Sequence, residues 1–219
     1  MTEIDGFTQM IDDANAFFVE LKNNNNRDWF EPRKEHFVEN VRKPGEFFAS
    51  LLAEEISRKT GQPHKGKLYR IYRDVRFSKD KTPYNAHFHV SADPIDRDTL
   101  APVFFFASEP GEMALYIGMV GFQGERLLRY RAFIDKWGDR LEEEREAAGA
   151  VYAHFGPPAL KRVPAPYDKD HPHGELLKRK SLILKRDMDD SFRKIGLLKA
   201  VLDEVDRFKP LHSFISERL

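Results

Sequence analysis

Apolar residues recur at helical spacing near the start of the chain. Ile11, Ala14, Phe18 and Leu21 fall three to four apart, which predicts an amphipathic helix over residues 8–22. The run Asn23 to Asn26 ends it, because Asn tolerates the left-handed conformation that helix ends use. Asp28 followed by Glu31 has the spacing of a capping box, and Pro32 is tolerated in a first turn. A second helix then turns Phe30, Phe37 and Val41 inward and is expected to end before Pro44. A third carries Phe48, Leu51, Leu52 and Ile56 on one side, with Gly61 just past its end.

The period then changes from 3.6 to 2. Strands are predicted near 68–77, 86–92, 102–108 and 113–120, and Glu109-Pro110-Gly111-Glu112 makes the last two a hairpin. Leu127, Leu128, Phe133, Ile134 and Trp137 mark a helix over 123–137, and the acidic run Asp139 to Glu146 reads as its solvated continuation. Gly156-Pro157-Pro158 and Pro164-Ala165-Pro166 bracket irregular chain. A short helix near 175–180 leads to a strand at Leu182-Ile183-Leu184. Asp189 or Asp190 caps a final long helix with Phe192, Ile195, Leu198, Leu202 and Val205 inward. Pro210 is expected to end it, leaving a last short helix over Leu211 to Leu219. No repeat or linker divides the chain. The pattern predicts one α+β domain over 1–219: helical 1–62, sheet 63–121, helical with one short strand 122–219. The sheet is an antiparallel meander of four to five strands packed against N- and C-terminal helices.

One stretch mixes aromatics with charges of both signs more densely than any other, Lys67 to Tyr84. Read as a strand, it sets Tyr69, Ile71, Arg73, Val75 and Phe77 on a core face and Arg70, Tyr72, Asp74, Arg76 and Ser78 on the other. Arg73 then needs a carboxylate from outside its own strand, because an unpaired buried charge is very costly. Arg70 and Arg76 stand about 20 Å apart on such a strand, too far to hold one small anion together. Arg76 with Lys79 and Lys81 from the following turn can do so.

Arg73-Asp74-Val75-Arg76-Phe77-Ser78-Lys79-Asp80-Lys81-Thr82-Pro83-Tyr84 resembles the central motif of the family called domain of unknown function 2461. Asn24 to Phe30 resembles its N-terminal motif, and Asp170-His171-Pro172 with Leu176-Leu177-Lys178 its C-terminal motif. The chain departs from the family around Gly118 to Gly124, where it is less glycine-rich. The resemblance implies one compact α+β domain and no particular reaction.

Composition narrows the classes. Lys+Arg and Asp+Glu both number 36, so there is no bulk attraction to nucleic acid or an anionic membrane. The absence of Cys excludes disulfides, thiolate metal sites and a Cys nucleophile. The start has neither a basic nor an apolar signal region, and the apolar run Val103 to Ala107 is too short to cross a bilayer. A soluble cytoplasmic protein, with no membrane partner, is the expectation.

Two functional readings follow. In the first, a small phosphate- or carboxylate-bearing ligand is bound, or processed, at the Arg76–Tyr84 turn. Arg76, Ser78, Lys79, Lys81 and Tyr84 hold it, Asp168, His171 and Lys178 join from the C-terminal motif, and Asp80 or His87 is the acid or base. In the second, the charged motif is a structural ion-pair knot around Arg73 and Asp74, and the protein is a non-enzymatic scaffold or protein-binding module. His87 with His89 and His171 with His173, beside Asp168 and Asp170, have the residue types of a metal site, but their spacing matches no metal motif, so none is assigned. Ser78 near His87 lacks a nucleophile elbow, and neither a dinucleotide fingerprint nor a P-loop is present. Tyr72, Arg76, Lys79 and Tyr84 suit single-stranded nucleic acid, which the zero net charge disfavours. A cofactor, an oligomeric state and a reaction are not legible.

Overall fold

The computed structural model describes residues 6–96 and 100–219. Met1 to Asp5, read above for targeting character, lie outside it. Helix α1 (Gly6–Asn23) buries Phe7, Met10, Ile11, Ala14, Phe17, Phe18 and Leu21 and stops at the asparagine run as its sequence predicts. The next cap is Asn26 rather than Asp28. Its extended backbone lets Oδ1 accept from the Trp29 N–H at 3.0 Å, opening α2 (Arg27–Phe30). A 3-10 turn at Glu31–Arg33 leads into α3 (Lys34–Phe37), then a π turn at Val38–Arg42, then α4 (Lys43–Thr60).

Pro44 therefore does not end a helix. It sits in the first turn of α4, directly after the π turn, where the Lys43 N–H reaches back five residues to the Val38 carbonyl. That wider turn makes room for the proline ring and absorbs its missing donor. Gly61, left-handed at φ 72°, closes α4 as expected.

The sheet has six antiparallel strands in the order β1-β2-β3-β4-β6-β5. They are β1 (His64–Leu68), β2 (Phe88–Pro94), β3 (Val103–Glu109), β4 (Glu112–Met119), β5 (Val151–Tyr152) and β6 (Leu182–Asp187). This is one strand more than the sequence predicts. β1 takes the place of the strand expected over 68–77, and the addition is β5, two residues that pair with Lys185 and Leu184 at the edge of β6. Glu109 pairs with Glu112 across the two-residue turn Pro110-Gly111, the predicted hairpin.

One face of the sheet is the core. Phe88, Val90, Phe104, Phe106, Leu115, Ile117 and Leu184 are buried there, beneath α1, α4 and α8 (Leu197–Arg218). Helix α4 crosses β1 so closely that a Cβ at Gly66 would lie 2.1 Å from the Ala49 carbonyl oxygen. Helix α5 (Gly124–Ala147) runs unbroken through the acidic stretch and packs on α8, Phe133 and Trp137 meeting Phe214. The short α6 (Gly174–Lys178) precedes β6.

The C-terminal end departs from expectation twice. A single turn, α7 (Phe192–Ile195), comes first, and Gly196 at φ 90° separates it from α8. Asp189 accepts from the Ser191 N–H at 2.9 Å in the preceding loop and does not cap α8. Pro210 lies inside α8, which continues to Arg218. Burial of Phe208, Leu211, Phe214 and Ile215 on one face holds the helix together across the lost hydrogen bond.

The largest correction concerns 68–77, which is not a sheet strand. The chain leaves β1 after Leu68 and forms an arm that returns at Phe88. Its limbs form one β-bridge, Tyr72 to Tyr84, flanked by Arg73 N–H to Pro83 O (2.9 Å) and Asn85 N–H to Ile71 O (2.6 Å). The alternation read in the sequence holds only near this bridge. Ile71 is 6% exposed, whereas Phe77 at the tip is 95% exposed. The arm has α2 on one side and, among the described residues, no second layer beyond, so its tip enters no core.

Candidate functional site

The arm is held at its base by the N-terminal motif. Asn25 donates from Nδ2 to the Tyr84 carbonyl at 2.9 Å and accepts from the Tyr84 N–H at 3.1 Å. The Tyr84 ring stacks on Phe30 with centroids 4.3 Å apart, and Tyr72 meets Phe30 edge-on at 5.9 Å. Two motifs some sixty residues apart in sequence thus form one joint.

Beyond the joint the charges pair with one another. Arg73 donates to Asp80 at 2.6 Å and to the Thr82 carbonyl at 3.0 Å, and contacts the Thr82 hydroxyl. Its carboxylate partner comes from the returning limb, as a partner outside its own strand must, but its side chain is still 24% exposed and not in the core. Arg76 grips Asp74 with two bonds, 3.0 and 2.7 Å. Lys81 donates to the carbonyls of Val75 (2.9 Å) and Arg76 (3.4 Å). The Ser78 backbone closes a turn onto Val75, and Lys79 is exposed at the tip.

Asp80 is held down to about 2, first by the Thr82 N–H and then by Arg73 and the Thr82 hydroxyl. A carboxylate so saturated remains ionised and accepts no proton at neutral pH. It suits a structural role better than that of acid or base.

The C-terminal motif serves another part of the molecule. His171 meets Asp135 at 3.1 Å and His173 meets Asp139 at 2.8 Å, pinning their loop along α5. Asp168 accepts from the Asp170 N–H at 2.8 Å, and Lys178 pairs with Glu175. Among the described residues no hydrogen bond or ion pair joins this group to the arm. The arm roots at Leu68 and Phe88, whereas α6 enters the sheet at Leu182, which pairs with Met119 at the opposite end and three strands away. With about 3.3 Å per residue and 4.8 Å per strand, the two roots lie roughly 25 Å apart. Asp168, His171 and Lys178 find their partners in their own loop, on α5 and within α6.

The other face of the sheet forms a cleft of about 600 Å³. Strand periodicity builds it. His89, Ser91 and Asp93 of β2 alternate with the core residues Phe88, Val90 and Ala92. Across the register His89 faces Ala107, Ser91 faces Phe105, and Phe105 faces Tyr116. Tyr69, Phe105, Tyr116 and Phe155 line the cleft as a chain of edge-to-face rings, with successive centroids 5.4, 5.9 and 5.9 Å apart. Ala107 and Gly118 between them keep the floor low. Phe155 reaches over from the segment after β5, and the Lys67 ammonium stands 4.5 Å above the Tyr69 ring at the rim.

Histidines mark one end of the cleft. The rings of His87 and His89 stack in parallel, 3.6 Å between centroids and 10° between planes. His89 Nε2 lies 3.2 Å from Glu109 Oε1. Burial lowers both imidazoles; with His87 beside it, His89 falls to about 3. Its contact with Glu109 is therefore a hydrogen bond from a neutral ring, not an ion pair. Of the two expected acid–base groups, Asp80 belongs to the arm, and His87 stacks on His89 behind the end of this cleft.

Glu109, Phe105, Tyr116 and Phe155 escape a reading of the sequence as a meander with one solvated face. The signal that finds them is the run Val103-Phe104-Phe105-Phe106-Ala107, apolar at every position. Such a strand needs something to bury on both faces, and helices cover only one.

The chain belongs to the family described as conserved hypothetical protein, DUF2461, which it matches over residues 13–214. A search of the curated proteins returns no match. No helix among the described residues is long and apolar enough to cross a membrane.

Proposed function

We propose that this member of the DUF2461 family binds a small, flat, largely apolar organic molecule in the cleft on the sheet face opposite α1, α4 and α8, with Lys67 at the rim meeting any anionic substituent. The observation that carries the reading is the aromatic chain Tyr69–Phe105–Tyr116–Phe155 along a recess of about 600 Å³. Recesses of roughly 300–1,000 Å³ with apolar walls and a few placed polar groups are what small ligands occupy. Asp93, which accepts from Ser91 at 2.7 Å, and His89 beside Glu109 supply those polar groups.

The Arg76–Tyr84 turn is a weaker candidate for the anion site. Binding an anion there requires Arg76 to leave Asp74, and Lys81 to leave two carbonyls that then lose their donor. The same pairing favours the knot reading for the motif, and with it the alternative of a scaffold that presents the arm.

A thermal-shift screen with aromatic acids, nucleotides and sugar phosphates separates these readings. Val120→Trp fills the cleft from a position that is 55% exposed and so leaves the core intact. A ligand of the cleft shifts the wild type and Arg76→Ala alike, and loses its effect in Val120→Trp. A shift lost in Arg76→Ala and kept in Val120→Trp returns the ligand to the turn. A screen with no shift in any class leaves the scaffold.

A further inference from the structure

We infer that His87, His89 and Glu109 form a binding site for a borderline divalent transition metal of the Zn²⁺ or Fe²⁺ kind. The inference stands apart from the cleft's ligand, because it rests on three side chains and their register alone. Each offers one donor atom, and the three donor atoms lie within 4.8 Å of one another. In a tetrahedral site with metal–ligand bonds of about 2.1 Å, donors stand about 3.4 Å apart. The His87 and His89 rings lie parallel and 3.6 Å apart, and an imidazole binds a metal in its ring plane, so a shared ion needs one ring to turn out of the stack and half-exposed Glu109 to rotate toward it.

The backbone explains why these three converge. His87 and His89 are two apart at the start of β2, so both project from one face and their rings stack. Phe88 pairs with Ser108, and one further step of that register sets His87 opposite Glu109. His89 faces Ala107, whose methyl leaves the space between the histidines and the cleft open.

The donor set selects the metal. Two imidazoles and one carboxylate suit zinc or non-haem iron, whereas calcium and magnesium take oxygen ligands. Three protein ligands leave one or more coordination positions, and two of the three, His89 and Glu109, line the cleft. The second histidine pair is arranged otherwise. His171 and His173 each meet a different aspartate of α5, one turn apart, and do not share a centre.

The test uses the full chain freed of any polyhistidine tag, stripped with chelator and dialysed. Co²⁺ is followed by its visible absorption and Zn²⁺ by calorimetry. The expected result is one ion per chain, with Co²⁺ bands of the strength given by four- or five-coordinate centres. Affinity should fall at least a hundredfold in His89→Gln and in Glu109→Gln, and stay within twofold in His171→Gln. Glu109 is half exposed, so its variant folds even if His89→Gln does not, and circular dichroism checks both. Binding absent from the folded wild type overturns the inference. So does binding that survives in folded Glu109→Gln at wild-type affinity, or that is lost in His171→Gln.

Discussion

Acidification from pH 7.5 to 5 should destabilise this protein through His212. His212 lies on α8, buried to 2% exposure, with its ring parallel to Phe104 at 4.9 Å. Its Nε2–H donates to the Pro102 carbonyl at 3.2 Å, and the His64 ring lies 6.5 Å away. Burial, and then the nearness of His64, lower it from 6.5 to about 4, against the opposing pull of the Pro102 carbonyl.

A histidine whose folded value is lower than its unfolded one binds more protons when unfolded. Its contribution is complete above pH 6.5 and is lost as the pH falls toward 4. The difference of 2.5 units corresponds to about 3.4 kcal/mol in all, of which about 2 kcal/mol is lost by pH 5. His64, also lowered by burial, acts in the same direction. Asp80, at about 2, changes only at lower pH.

The assay is urea unfolding at pH 7.5, 6 and 5, for the wild type and His212→Gln. Between the end points the wild type should lose about 2 kcal/mol more than the variant. Equal losses in the two proteins would refute the argument, because they would mean that His212 does not resist protonation in the folded state.

The joint between the arm and α2 gives two further predictions. Phe30→Ala removes the ring that carries Tyr84 and should cost about 3–5 kcal/mol in denaturant unfolding, while Asn25→Ala leaves the Tyr84 backbone groups unpaired and should cost about 1–3 kcal/mol. In melting curves Arg76→Ala should coincide with the wild type, since its pair with Asp74 is solvated, whereas Arg73→Ala should melt about 2–4 °C lower, because it also ties down the Thr82 carbonyl.

The helices were legible because burial writes a 3.6-residue period that survives changes of neighbour. Their ends were less so, at Pro44 and Pro210. There the pattern rule treats proline as a stop, while a π turn in one case and a buried face in the other accommodate it. The hairpin at Pro110-Gly111 could be read locally, because two residues fix it. The arm could not. Alternation over 69–77 looks the same whether or not a second layer exists to receive the side chains, and that layer is set by distant α2.

Site residues divide along the same line. The ion pairs of the arm are between near neighbours and follow from the sequence, as does the candidacy of His87. The cleft depends on which strand lies beside which. Nothing near Glu109 in sequence announces that it meets His89, twenty residues earlier.

The placing of β6 between β4 and β5 has a consequence for synthesis. As the chain emerges, β1 to β4 can pair in order, but β4 then waits as an open edge while some sixty further residues are made. During that interval Met113, Leu115, Ile117 and Met119, whose backbone groups point toward β6, present unpaired backbone to the surroundings, and α8, which covers the core, has not appeared. Edges of this kind invite pairing with another nascent chain. Folding is therefore completed from the C-terminal end, and expression in cells should be more sensitive to chaperone supply than the stability of the finished protein suggests.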